Sequence, residues 1–318
     1  MVEYREFRNA DPPALVEIWQ NSGRQPGLFQ PVTTSLFEEL IFSRLYFERE
    51  GIRIAWDGNR PLGFAHAGFG PTEDQSYFST ELGTTYQIRV RSDCENPEQV
   101  ADQLLTQCEE YLVSRGAKVL YGGGIQPLNA FYWGLYGGSE LPGILQGDQI
   151  ARSAFESHGY KAIDHTVGFS GELRSVAPPM TRGLMQHRRK MTVHKKEDLA
   201  TNSWWEASTK GCFQLSRFEL QPRGGGDPLG FALVREMRFA ENHWTTTPSA
   251  GLIELEIEEG HRRQGLVTYL LSEVFHDLGR HRIHQLEVQT MEHNSAAVSL
   301  YEKLGFTKAD RGIVYRKS

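Results

Sequence analysis

Cysteine is scarce in this 318-residue chain: Cys94, Cys108 and Cys212 are an odd set without metal-ligand spacing, which argues against a disulfide framework and against a metal centre. Long apolar runs are missing too. No segment approaches the length that spans a bilayer, and the opening Met1-Val2-Glu3-Tyr4-Arg5 has no apolar signal-peptide core, so the expectation is a cytoplasmic protein without a membrane partner. Positive charge is not in excess. With 34 Lys and Arg against 40 Asp and Glu the net charge is −6, which argues against a broad basic face for nucleic acid. The short basic stretches 187–190 and 195–196 read as solvated linker or strand ends. The length suits two domains, each large enough to bury its own core.

The patterns along the chain divide in the same way. An alternating stretch at 3–8 leads through Asn9-Ala10-Asp11-Pro12-Pro13 into a helix carrying Leu15, Ile18 and Trp19. The runs 52–56 and 62–67 flank a turn and read as a hairpin, with a further strand at 86–90. Val100, Leu104, Leu105, Cys108 and Leu112 fall on one helical face that ends at Arg115-Gly116, a strand follows at 118–121, and a helix at 149–158. A similar order returns later: strands at 212–220, 229–237 and 252–258, a helix carrying Leu266, Leu270, Leu271, Val274 and Leu278, a strand at 283–290, a helix at 295–304 and a closing strand at 312–316. Glu156-Ser157-His158-Gly159-Tyr160 and Glu302-Lys303-Leu304-Gly305-Phe306 occupy matching places, which marks the halves as diverged copies of one α/β unit. Ser175-Val176-Ala177-Pro178-Pro179 and the mixed basic and polar residues after it read as the connection, which divides the chain into 1–177 and 178–318.

Leu255-Glu256-Ile257-Glu258-Glu259-Gly260-His261-Arg262-Arg263-Gln264-Gly265-Leu266 is a strand that stops in a polar turn and runs straight into a helix. Such a turn aims unpaired N–H groups and the positive end of the helix dipole at one point, which suits a pyrophosphate. Arg262 and Arg263 add charge, and Gly265 lets an anion approach the backbone. A basic helix cap is the competing reading of this stretch taken alone. The second segment is Leu286-Glu287-Val288 followed by Asn294-Ser295-Ala296-Ala297-Val298-Ser299-Leu300-Tyr301-Glu302-Lys303-Leu304-Gly305-Phe306.

Together the two segments resemble the GNAT superfamily of N-acetyltransferases. Its Arg-x-x-Gly-x-Gly/Ala signature falls on Arg262, Gly265 and Val267, where valine replaces the usual small residue; its Asn-x-x-Ala-x-x-x-Tyr-Glu-x-x-Gly-Phe segment matches throughout. The resemblance implies an α/β fold of two tandem GNAT-like domains, each a twisted, mostly antiparallel sheet flanked by helices. It implies acetyl-CoA as co-substrate, no metal, and direct transfer of the acetyl group to a primary amine on a small molecule, peptide or protein. The turn made by Arg262, Arg263, Gln264, Gly265, Leu266, Val267 and Thr268 would hold the pyrophosphate, and the strand backbone at Leu255 and Ile257, splayed from its neighbour, would align the pantetheine arm. Tyr301 would be the general acid, its phenol protonated at neutral pH and matched to a departing thiolate; the competing role is a packed helix tyrosine. Glu287, a glutamate in the Leu-Glu-Val context that serves as base in the ribosomal-protein branch, is the first choice of base. Glu254 and Glu256 are alternatives, on a strand where Leu252, Glu254, Glu256 and Glu258 are read as one face and Ile253, Leu255 and Ile257 as the core face. Asn294 is read as a pantetheine or phosphate contact or as a helix N-cap.

The N-terminal half lacks this machinery. Residues 89–98 contain no glycine, and Asp93 and Glu95 would repel a pyrophosphate. The aromatic and glycine-rich stretch 131–143 reads as an aromatic-packed interdomain loop, with a lid or acceptor loop as the alternative. Trp204-Trp205 and the loop 242–248 lie where GNAT acceptor pockets are usually lined, with a structural role as the equal alternative for each, and His243 is read as a polar loop residue rather than a catalyst. A CoA-binding sensor or an interaction protein without turnover has the same fold requirements, because function resides in the site. The assembly is expected to be a monomer or homodimer.

Overall fold

Period-two patterning builds the first half. In the computed structural model, which describes all residues except 26–27, 29–31, 137–139, 179–180, 212 and 238–247, β1 (Val2–Glu6) is followed by α1 (Pro12–Asn21) and α2 (Thr34–Phe37). Proline opens α1 where its missing N–H costs nothing, and Leu15, Ile18 and Trp19 are fully buried. β2 (Ile52–Asp57), β3 (Arg60–Pro71) and β4 (Phe78–Val90) form an antiparallel meander, with Gly58 at φ 58° in the β2–β3 turn. Then come α3 (Pro97–Ser114), β5 (Val119–Gly122), β6 (Ile144–Leu145), α4 (Gln149–Ser157) and β7 (Lys161–Glu172). The helix α3 stops at Gly116, whose φ of 103° no side-chain-bearing residue adopts easily.

The second half contains α5 (Leu173–Val176), α6 (Arg182–Lys190), β8 (Met191–Lys196), α7 (Trp204–Lys210), β9 (Leu215–Pro222), β10 (Gly230–Glu236), β11 (Ser249–Ile257), α8 (Leu266–Arg280), β12 (Gln285–Met291), α9 (Ser295–Lys303) and β13 (Thr307–Lys317). The apolar stripe of α8 behaves as its spacing predicts: Leu266, Leu270, Leu271, Val274 and Leu278 are each at most 2% exposed. At about 1.5–3 kcal/mol per buried aliphatic side chain, that stripe anchors the helix on the sheet. Of the described helices, none is long and apolar enough to cross a membrane.

Two readings need correction. The stretch after Pro178, expected as a linker, contains α6, which Thr181 caps by accepting from the Leu184 N–H, and β8, which pairs with β9 from Met191↔Pro222 to Lys196↔Arg217. A polar composition misled here because β8 is an edge strand, where charge protects the exposed side of the ladder. The other concerns β11: Leu233 pairs with Glu254 but Val234 with Leu252, so Ile253 is the extra residue of a bulge. The alternation therefore changes phase, and Leu252, 1% exposed, joins Leu255 and Ile257 on the core side.

The strands form one continuous sheet in the order β1-β2-β3-β4-β5-β13-β7-β12-β11-β10-β9-β8, with β6 on β13. All neighbours are antiparallel except β4 with β5 and β11 with β12. The strand after α4 crosses to β12, and the last strand of the chain crosses back to β5. The described residues form three apolar clusters. Two of them cover the N-terminal part of the sheet from both sides, one with α1, α2, residues 130–136, Leu141 and Leu145, the other with α3 and α4. The third lies on a single face of β7 and β9 to β12, under α8 and α9.

Candidate active site

Two parallel strands part at the centre of the second half. β11 and β12 pair from Ser249↔Gln285 to Leu252↔Val288 and no further, yet β11 runs on to Ile257 and β12 to Met291. Beyond the bulge, the stretch of β11 with Leu255 and Ile257 is held by β10 along one edge only. The splayed edge offers backbone polar groups to anything lying in the gap.

Directly after this strand, the chain turns through a short 3-10 segment (Glu259–His261) into α8. Arg263 has φ 60° and Gly265, the N-cap of α8, has φ 80°. No side chain caps the helix, and among the described residues the N–H groups of Gln264 through Thr268 have no acceptor. Successive N–H groups in such a turn make an anion-binding concavity, reinforced by the helix dipole. Arg262, Arg263, Gln264 and Gly265 are exposed, Leu266 is buried, and Val267 packs partly buried against the core. Arg262 bends back, its Nε donating to the Ile257 carbonyl at 2.9 Å, so it braces the turn against β11. The side chain of Arg263 is left without a partner among the described residues.

A residue missed in the sequence completes this turn. His187 of α6 meets the Gln264 carbonyl through Nε2 at 2.9 Å, and the same nitrogen lies 3.3 Å from where a Cβ on Gly265 would stand. The capping threonine and the basic last turn of α6 were legible helix signals. Between α6, the start of α8 and the end of α9 lies a cavity of about 640 Å³, with Gly265, Thr268, His187 and Lys303 in its wall.

Tyr301 is 4% exposed, its ring 5.6 Å from Phe169 of β7 and 5.8 Å from Phe306. Burial pushes its phenol above the ordinary tyrosine range, and its hydroxyl has no hydrogen-bond partner among the described residues. Asn294 is the N-cap of α9: its Oδ1 accepts from the Ala297 N–H at 3.2 Å. Glu287 alternates with the core residues Leu286 and Val288 and so lies on the opposite face of the sheet from Tyr301, next to Gly251 of β11. Glu254 is on that same face, where its carboxylate accepts from Lys210 Nζ at 3.0 Å; Glu256 is exposed. The loop 242–247, with His243, and Gly137-Gly138-Ser139 of the glycine-rich stretch lie outside the described residues.

The corresponding place in the first half is closed. β4 and β5 also part, after Thr85↔Gly122, but Tyr86, Gln87 and Arg89 beyond that point are covered by Phe131 and Tyr136. Phe131 packs 5.1 Å from Tyr86, while the Tyr136 hydroxyl bonds to both Gln87 and Arg89, and Arg89 pairs with Asp148 at 2.9 Å. The two rings thus form an aromatic plug. Phe155 stands where α9 has Tyr301, stacked at 5.5 Å on Tyr315 of β13.

Residues 183–306 match the model of the Acetyltransferase (GNAT) family. No curated protein matches the sequence. Among solved structures, a tandem GNAT protein from the clavulanic acid biosynthesis pathway superposes with a TM-score of 0.65 at 12% identity, over 100% of this chain and 98% of that one. A GCN5-related N-acetyltransferase from Sphaerobacter thermophilus gives 0.65 at 15% identity, over 99% and 95%. The GCN5-related glucosamine N-acetyltransferase region of a fungal multi-domain GH3 beta-N-acetylglucosaminidase gives 0.70 at 11% identity, over 100% of this chain and 38% of that one. At these identities the likeness concerns the fold.

Proposed function

With a GNAT acetyltransferase domain in its C-terminal part and the tandem GNAT fold along the whole chain as premises, we propose that this protein transfers an acetyl group from acetyl-CoA to a primary amine, with the chemistry in residues 178–318. The observation that carries the reading is the coincidence of two features on one strand. β11 parts from β12 after Leu252, and the same strand ends in a turn of N–H groups without acceptors at the start of α8. The turn from Arg262 to Thr268 would take the pyrophosphate, with Arg263 and Lys303 as nearby cations and the 640 Å³ cavity as room for the nucleotide end. The backbone of Leu255 and Ile257 would align the pantetheine arm, and Asn294 would serve the site through the cap that fixes the start of α9.

The acyl carbon sits between two bonds in this reaction: the C–N bond to the amine forms and the C–S bond breaks. Glu287, or Glu254 through a water, takes the proton that the ammonium must lose before it attacks and passes it to solvent, and the same route takes the second proton from the nitrogen once the C–N bond has formed, since both lie on the polar face of the splay. Tyr301, held neutral by burial, gives its proton to the departing sulfur and recovers one from solvent. The first half, residues 1–177, binds no second nucleotide in this reading because its own aromatic plug fills the gap.

Calorimetric titration of the full chain with acetyl-CoA, followed by a thiol-release assay over an amine panel, tests the proposal. One site per chain and amine-dependent thiol release are expected. Two sites would overturn the reading of the first half, and no binding would overturn the whole.

A further inference from the structure

The chain that joins β11 to α8 is held at both ends by a side chain bonded to a carbonyl. At its start Arg262 Nε donates to the Ile257 carbonyl at 2.9 Å, and at its end His187 Nε2 meets the Gln264 carbonyl at 2.9 Å. A carbonyl oxygen only accepts, so His187 Nε2 carries the hydrogen of this bond. His187 reaches across from α6, a helix with anchors of its own. Thr181 caps it, Leu184 is buried in the core, and Arg223 donates from Nε to the Arg188 carbonyl at 3.0 Å and from its backbone N–H to the Lys190 carbonyl at 2.8 Å. The imidazole therefore stands on a supported base.

What this hydrogen bond fixes follows from peptide geometry. The Gln264 carbonyl and the Gly265 N–H belong to one trans peptide plane and point in opposite directions. Anchoring the oxygen on α6 sets the direction of that N–H, which has no acceptor among the described residues. The backbone on either side needs such support. Arg263 at φ 60° and Gly265 at φ 80° are both left-handed, and a residue with a side chain keeps that conformation only where its surroundings over-determine it. Packing singles out the same pair of residues. His187 Nε2 lies 3.3 Å from where a Cβ on Gly265 would stand, and the His187 ring is 6.2 Å from that of Tyr269, one helical turn further along α8. The imidazole thus occupies the space that a side chain on Gly265 would need.

We propose that His187 is a positioning residue for the cofactor turn: it aligns the Gln264–Gly265 peptide so that the Gly265 N–H meets the pyrophosphate, which makes the helix after Pro178 a part of the acetyl-CoA site. That role rests on the acetyltransferase reading. It is tested on the full-length protein with acetyl-CoA and with S-acetylpantetheine, a donor that has the thioester and the pantetheine arm but no pyrophosphate. His187→Met and His187→Gln give side chains of the same length, and only the second has a hydrogen-bond donor. His187→Met should raise the acetyl-CoA dissociation constant and KM about five- to tenfold, the loss of one hydrogen bond. Its kcat at saturation should stay at the parent value, because the pyrophosphate is held equally before and during transfer. His187→Gln should restore most of the affinity, and neither variant should alter the KM for S-acetylpantetheine.

If the parent binds acetyl-CoA and the two variants lose affinity equally, or neither loses any, the hydrogen bond does not set the turn, and the positioning role fails with the acetyltransferase reading intact. A matching rise in the KM for S-acetylpantetheine would make His187 a structural support of the whole site and would overturn the role in the same way. A parent protein with no affinity for acetyl-CoA would sink both readings.

Discussion

Phe155 and Tyr301 stand at the same point of two related helices, each five residues before the aromatic that follows a left-handed glycine, Gly159 at φ 80° and Gly305 at φ 87°. The surroundings repeat as well. Phe155 stacks on Tyr315 of β13, and Tyr301 rests on Phe169 of β7, so each helix leans on the strand that the other half contributes. What differs is chemistry. One ring has a hydroxyl and the other has none. One splay ends in a turn with Gly265 and acceptor-free N–H groups, whereas residues 91–96 hold Arg91 in ion pairs with Asp93 and Glu17 and contain no glycine. The first half is also apolar on both faces of its sheet and the second on one. The same fold can thus fill the gap between its parallel strands in one copy and leave it open, with one face of the sheet polar, in the other.

Removing the hydroxyl should make the second half resemble the first. Tyr301→Phe is expected to lower kcat by about 10²- to 10³-fold with acetyl-CoA affinity unchanged, measured by thiol release and calorimetry; wild-type turnover at several pH values would take Tyr301 out of the mechanism. The next effect concerns the turn. Gly265→Glu places a side chain at φ 80° and a negative charge among the N–H groups, and acetyl-CoA affinity should fall about 100-fold. An unchanged dissociation constant would show that the pyrophosphate lies elsewhere.

A smaller effect tests the polar face. Glu140 of the first half lies near Lys210, Glu254 and Arg235, and burial pushes its carboxyl up to about 7, opposed by Lys210 and reinforced by Glu254. Because the folded state holds this proton more tightly than the unfolded chain, stability falls as pH rises from about 4.5 to about 7 and is flat above that range. Glu140→Gln should abolish that fall and gain on the order of 2 kcal/mol over the parent above pH 7, read from chemical denaturation across the range. Identical pH profiles would place the carboxyl in water. Smallest of all, Phe155→Tyr should leave acetyl-CoA binding at one site per chain, because restoring a hydroxyl does not empty the plug; a second site would mean that the phenol alone separates the halves.

Much of this was legible in the residues. The stripe of α8, the cap at Asn294, the glycine terminators and the turn around Gly265 are local features, set by neighbours within a few positions, and they occur where their spacing places them. Tyr301 and Glu287 were identified by motif, and alternation put Glu287 opposite Leu286 and Val288, as the structure does. The bulge at Ile253 escaped because a single extra residue leaves no mark in composition, only in pairing with β10.

The sequence by itself determined the repeat, the strands and helices with a clear apolar period, and the turn around Gly265, since those depend on periodicity, glycine and charge at fixed local offsets; it left α6, α7, β7 and β8 unread. Tertiary structure alone decided that β7 and β13 exchange places, that Phe131 and Tyr136 fill the first splay, and that Asn129, Trp133 and Glu254 meet around one cavity. The reason is physical: strand order, plug and cavity walls are set by contacts between residues from about forty-five to more than a hundred positions apart, whose free energy comes from burial and pairing that no local pattern encodes.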